Sequence, residues 1–321
     1  MGLIAALRFK LMFGWVAFLR RFASYASGNN IASRTVHLLH PAVGRQRTAW
    51  LAGLDAQLGA PQNSHAAWRR HKALVGVTRL QGSYYSQDDT SWIGQCRLDI
   101  DGGEHVHAAL AQGKGVLGMT YHHHFNMLFC NLVTRLGYPV TTIAMDAREN
   151  NARYQKFGDR VDRIYTHAEK LSNGGTVILV RPNSTVRPIL RAFEANHVVI
   201  TANDFPEVFD DKNRQDFPFL GTTLSCPTGT VKLAVNKQIP MVAGYLDWLG
   251  ADRFRMVLRP VSAGTPEDTV ETAMTSYLSV LEEMVRNTPG LWEGWKWLGD
   301  TRYKERHINQ QVTIGMHCEV I

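Results

Sequence analysis

The sequence predicts an α/β fold: a mainly parallel central sheet flanked by helices, with a helical extension at its N-terminus. Three observations predict it. From residue 115 on, short apolar runs alternate with longer amphipathic stretches, the texture of repeated strand–helix units. Residues 31–110 instead carry mainly helical spacing of apolar positions. The composition, 45% hydrophobic and 20% charged over 321 residues, is that of a globular chain long enough to bury a core without disulfides or a structural metal.

Residues 2–21 are apolar and aromatic, with Arg8 and Lys10 inside and Arg20 and Arg21 at the end. The uncharged run 11–19 is shorter than the about 20 residues that a bilayer span needs. Arg8 and Lys10 stand about 200° apart on a helix, so they define no single polar face. A charge-free core followed by a small-residue cleavage site is missing, which argues against a signal peptide. Two readings stay open: a peripheral contact with an anionic membrane through snorkelling cations, or a helix docked on the body. No Pro/Gly/Ser-rich linker divides the remainder of the chain. We therefore read 1–30 as this helix and 31–321 as a single domain with a helical N-terminal part.

Within that domain, 50–58 and 66–80 read as helices, 81–103 as a loop rich in Gly, Ser, Asp and Gln, and 105–112 as a short helix. Strands are expected at 115–120, 139–145, 176–180, 197–201, 240–245 and 254–258. Helices are expected at 126–136, 152–157, 186–195, 228–236 and 269–287, the last closed by Pro289.

The net charge of +7 favours acidic partners such as phospholipid headgroups or an acidic protein. No basic run, zinc finger or RNA-binding aromatic motif supports nucleic acid. Cys96, Cys130, Cys226 and Cys318 form no CxxC pair, which argues against a disulfide framework or a thiolate zinc site and suggests a reducing compartment.

Tyr121-His122-His123-His124-Phe125 follows the first strand of the alternating region and precedes a helix. Ligands of open α/β sheets bind beyond the carboxyl ends of strands, and a histidine there can act as a general base near neutral pH. A metal site is a second reading, since His122 and His124 would share a face if the strand continued, but no third ligand is evident. A polar loop without function is the third. Tyr121 and Asn126 flank the histidines as candidate substrate-binding residues.

Further blocks come in order along the chain. Arg187-Pro-Ile-Leu-Arg-Ala-Phe193 is a candidate helix, and Asn203-Asp204 closes the fourth strand. Phe217-Pro-Phe-Leu-Gly221, Pro227-Thr-Gly-Thr-Val-Lys-Leu-Ala234 and Ile239-Pro-Met-Val-Ala243 come next. Pro289-Gly-Leu-Trp-Glu-Gly-Trp-Lys-Trp297 and Arg302-Tyr-Lys304 end the series. Together, over about residues 1–306, these blocks resemble the bacterial lipid A late acyltransferases, relatives of the lysophospholipid acyltransferases.

The resemblance implies an active site of the form His-x-x-x-x-Glu or Asp. The run 115–120 and Gly137-Tyr-Pro-Val140 both point to His122, which puts Met127 at the acid position; His123 and His124 lead to Leu128 and Phe129. No frame supplies the carboxylate that orients the base and stabilises its imidazolium, a group whose loss costs about 10⁴-fold in a hydrolase triad. Asp204, preferred, and Asp146 are candidate replacements at other strand ends, and a neighbouring histidine is another way to fix the tautomer. A turn or cap role for Asp204 stays open.

The function implied is acyl transfer from a thioester, on acyl carrier protein or CoA, to a hydroxyl or amine. His122 would be the base, and Arg187 would bind a phosphate or meet the oxyanion; a solvated helix cation is the alternative for Arg187. Trp292, Trp295 and Trp297 line an acyl groove, sit at a bilayer interface or form an aromatic core. The reading requires no metal or redox cofactor, and it implies the cytoplasmic face of the bacterial inner membrane, or the cytoplasm. A catalytically dead member that binds acyl chains or carriers at a membrane, and a metal-dependent hydrolase, are the alternatives.

Overall fold

The computed structural model describes residues 3–40, 43–58, 61–87, 89–145, 158–180, 185–204 and 213–298. Four helices come first: α1 (Leu3–Phe22), α2 (Tyr25–Leu39), α3 (Val43–Leu58) and α4 (Pro61–Tyr85). A 3₁₀ turn at Ser91–Gln95 leads into β1 (Arg97–Asp101) and α5 (Gly103–Leu110). The alternating part runs β2 (Val116–Thr120), α6 (Asn126–Leu132), β3 (Val140–Met145), α7 (Gly158–Lys170), β4 (Val177–Val180), α8 (Val186–Glu194) and β5 (Val198–Ala202). After the β6 (Arg214–Phe219) and β7 (Thr222–Pro227) hairpin come α9 (Gly229–Asn236), β8 (Met241–Gly250), β9 (Arg253–Ser262), α10 (Val270–Asn287) and the short α11 (Trp295–Leu298).

Seven strands form one sheet in the order β1-β9-β8-β2-β5-β3-β4, parallel at every pairing except β8–β9. The crossovers from β2 to β3 and β4 run one way; those to β5 and β8 run back. With right-handed connections this places α6 and α7 on one face and α8 and α9 on the other. β2, the first strand of the alternating part, lies in mid-sheet between β8 and β5, and its residues are almost all buried. α10 packs on β8 and β9 beside α9, and starts with a capping box between Thr269 and Thr272.

The N-terminal helices are fastened to this body. Asn29 on α2 donates to the carbonyl of Ala251 in the β8–β9 turn. Gly76 on α4 packs so closely on the Ala32 backbone of α2 that a Cβ would collide with it. Met12, Val16 and Leu19 of α1 are buried against Ala32, Val36 and Leu80. The opposite side of α1 exposes Ile4, Leu7, Leu11, Phe18 and Phe22.

The stretch 81–103, expected as loop, contains structure at both ends. α4 continues to Tyr85, and β1 is an edge strand. Polar side chains hid both. Gln81 is buried and satisfied between the Tyr25 hydroxyl and Asn29, so its polarity marks a core network rather than a loop. β1 is held by charge as well as its ladder: Arg253 pairs with Asp99, Arg259 with Asp101 and Arg97 with Asp252. The expected helix 126–136 ends as α6 and closes with a 3₁₀ turn, Val133–Leu136. The β6–β7 hairpin and α7 were not expected as elements. The expected helix 152–157 lies outside the described residues.

Candidate active site

β2 and β5 run side by side and parallel, with Thr120 opposite Ala202. Two residues beyond that pair stand His122 and Asp204. Neighbouring strands lie about 4.8 Å apart, so the register alone brings the two side chains together. His122 Nδ1 is 2.7 Å from Asp204 Oδ1, and the His122 backbone N–H also donates to this carboxylate, at 3.0 and 2.9 Å. Trp292 Nε1–H donates to Oδ2 at 2.8 Å.

Asp204 is 0% exposed, whereas the His122 side chain is 22% exposed. Burial pushes the Asp204 carboxyl up, but the adjacent His122 ring and the donors from His122 and Trp292 outweigh burial and hold it below the usual aspartate range. A carboxylate in that position makes Nδ1 the protonated nitrogen of the neutral ring, which assigns Nε2 as the basic one.

Tyr277 of α10 braces both strand ends. Its hydroxyl donates to the Thr120 carbonyl at 2.7 Å and accepts the Asn203 N–H at 3.1 Å. Tyr121 is wholly buried, stacked on Tyr277 with 4.6 Å between ring centres, and donates to the Tyr277 carbonyl at 2.7 Å. Its hydroxyl therefore supports the site from within the core, away from the substrate position expected for it.

His123 and His124 point elsewhere. His123 Nδ1 accepts the Phe125 N–H at 3.0 Å, and burial pushes the imidazole down to about 3. It is a neutral acceptor that shapes the turn. His124 Nε2 lies 2.9 Å from His71 Nδ1 on α4, and its Nδ1 lies 3.5 Å from a Glu293 carboxylate oxygen. His71 itself is packed against Trp50 and Trp68, both 5.0 Å away between ring centres. The structure thus separates the three histidines: one faces Asp204, one is structural, and one joins a second buried histidine.

Asn126 opens α6 and is half-buried, its side-chain oxygen accepting the Met127 N–H at 2.7 Å. Arg187 is exposed on the first turn of α8, the helix that leads from β4 back to β5. Among the described residues no hydrogen bond or ion pair brings Arg187 to His122 or Asp204. Trp292 and Trp295 are buried in the aromatic core beside Trp50, Trp68 and Phe219. Asp146 and 302–304 lie outside the described residues. Among those residues no group of three His, Cys, Asp or Glu side chains is placed to hold a metal ion.

The model of the bacterial lipid A biosynthesis acyltransferase family matches residues 93–304, the greater part of the chain, and the match spans β2, β5 and the strand-end histidine. The chain belongs to this family. No curated protein matches it. In this lipid A acyltransferase family member, the position five residues after His122 is Met127, half-buried against the core. The carboxylate at the histidine comes instead from the neighbouring strand. Tyr277 and His71 carry no sequence signal beyond a place on a helix. Trp292 stood out as an aromatic, but its hydrogen bond to Asp204 needed the fold.

Proposed function

We propose that this protein transfers an acyl chain from a thioester, on acyl carrier protein or CoA, to a hydroxyl or amine acceptor, with His122 as general base and Asp204 as its orienting carboxylate. The observation that carries the reading is the 2.7 Å contact between the two at adjacent strand ends. Nε2 removes the acceptor proton as the acceptor attacks the thioester carbonyl carbon. The imidazolium is stabilised by Asp204, which stays ionised. The tetrahedral intermediate then expels the thiolate, which takes the proton from Nε2. Acyl transfer in general is the chemistry of the family.

Arg187, exposed on the first turn of α8, suits a phosphate of the donor. The alternative of a dead acyl-binding member rested on the missing acid; Asp204 supports the catalytic reading over it.

The reading includes a peripheral seat on an anionic lipid surface, at the cytoplasmic face of the inner membrane. No helix among the described residues is long and apolar enough to cross a membrane. At about 100° per residue, Ile4, Leu7, Leu11, Phe18 and Phe22 fall within an arc of about 60°. Exposed Lys10 and Arg21 lie together along one border of it. Exposed Arg8 donates to the Leu38 carbonyl, and half-buried Arg20 donates to the Ser83 carbonyl.

The test uses the purified full chain, radiolabelled acyl carrier protein or acyl-CoA, and a bacterial lipid extract. The wild type should move label into lipid and His122→Ala should not. No transfer by the wild type from either donor would refute the proposal.

A further inference from the structure

We infer that Trp292 is a positioning residue for the His122–Asp204 pair, and that the strap 291–293 fixes the base loop from outside its own strand. The inference rests on the reading of His122 as the base and goes beyond it. Two backbone hydrogen bonds hold the strap on the loop. The Leu291 carbonyl accepts the His124 N–H at 3.3 Å, and the Glu293 N–H donates to the His122 carbonyl at 3.0 Å. Together these two bonds make the antiparallel bridge between Trp292 and His123. A further contact reaches past the loop to the end of β5: the indole N–H donates to Asp204 Oδ2 at 2.8 Å.

Several features lock the indole in place. Trp292 is 0% exposed and meets Phe219 and Trp295 edge-on. Gly294 lies so close under the ring that a Cβ there would overlap it. A merely hydrophobic filler would need no polar contact. This one places its single donor on the buried carboxylate, on the oxygen opposite the one that meets Nδ1. The indole therefore does for Asp204 what Asp204 does for His122: it fixes the rotamer and takes up part of the negative charge. In a motif with the acid on the same helix turn, the backbone would set that geometry. Here the acid arrives from another strand, and the strap supplies the restraint.

Without the indole donor, the Asp204 carboxylate directs more of its charge to the imidazolium, so the ring of His122 becomes easier to protonate. The experiment is an NMR titration of the His122 ring in the full chain, for wild type, W292F, D204N and the double variant. W292F should raise the midpoint by about half a unit or more, roughly a quarter to a half of what a hydrogen bond to a charged group contributes. In the D204N background W292F should leave it in place. A midpoint unmoved by W292F, or moved equally in both backgrounds, overturns the inference. If W292F does not fold, replacing the indole with its benzothiophene isostere removes only the N–H and gives the same readout. This titration needs no substrate. Full thiol release from lauroyl-CoA by His122→Ala would instead overturn the base assignment and leave the Trp292 coupling to stand or fall by the titration.

Discussion

His122 and Asp204 are 82 residues apart in sequence and 2.7 Å apart in space. The parallel register of two neighbouring strands joins them, and Tyr277 holds the two strand ends together where the ladder stops. A family member with methionine at the expected acid position thus still presents a histidine against an ionised carboxylate.

Asp204→Asn tests that carboxylate through stability. Its pKa is lower in the folded chain than in the unfolded one, where it is about 3.9. The stabilisation is therefore present above about pH 4 and is lost as pH falls through the lower folded value. The variant should lose about 1–3 kcal/mol near neutral pH, the range for mispairing a buried polar group. The difference from wild type should shrink in acid. Denaturant melts at pH 7 and pH 3 check this; an equal difference at both would contradict it.

His123 should stay neutral across the working range, since burial pushes it down to about 3. The unfolded ring titrates near 6.5. Between those values the unfolded chain binds a proton that the native one does not, so as pH falls stability drops by about 1.4 kcal/mol per pH unit. A proton NMR titration should show no His123 transition above pH 4. A midpoint near 6.5 would mean that the ring is solvated.

The two faces of α1 should respond differently. Leu7→Glu with Phe18→Glu should weaken flotation with anionic vesicles and leave the melting temperature near that of the wild type, because both side chains are exposed. High salt should weaken binding only in part, since screening acts on Lys10 and Arg21 but not on apolar burial. Val16→Ala should lower stability by about 1–3 kcal/mol and leave flotation intact, because Val16 is buried against α2 and α4. Unchanged flotation in the double variant would refute the membrane contact.

His124→Ala should reduce turnover far less than His122→Ala. Its ring meets His71 and Glu293, away from Asp204. Equal losses, with both proteins folded, would shift the base to the His124 chain.

Much of this architecture was legible because buried strands such as β2 and β5 are short apolar runs, and because α10 carries its own cap and stop. The β1 edge was not, since Arg97, Asp99 and Asp101 are held by cross-strand charge that an apolar pattern does not register. At the site, strand-end position singled out His122 and Asp204, but a sequence carries no strand order. The pairing of β2 with β5, rather than with β3, decides that Asp204 is the neighbour. Tyr121 looked available from its place beside the histidines; its alternation into the sheet buries it against Tyr277.

The most direct test is a double-mutant cycle on acyl transfer with His122→Ala, Asp204→Asn and both together, each confirmed as folded. If the two residues act as one unit, Asp204→Asn lowers kcat by about 10⁴-fold, as removing an orienting carboxylate does elsewhere. The double variant then turns over no more slowly than His122→Ala alone, because coupled residues are not additive. A folded Asp204→Asn enzyme within about threefold of wild type, or a double variant that multiplies the two losses as independent sites do, would contradict the account.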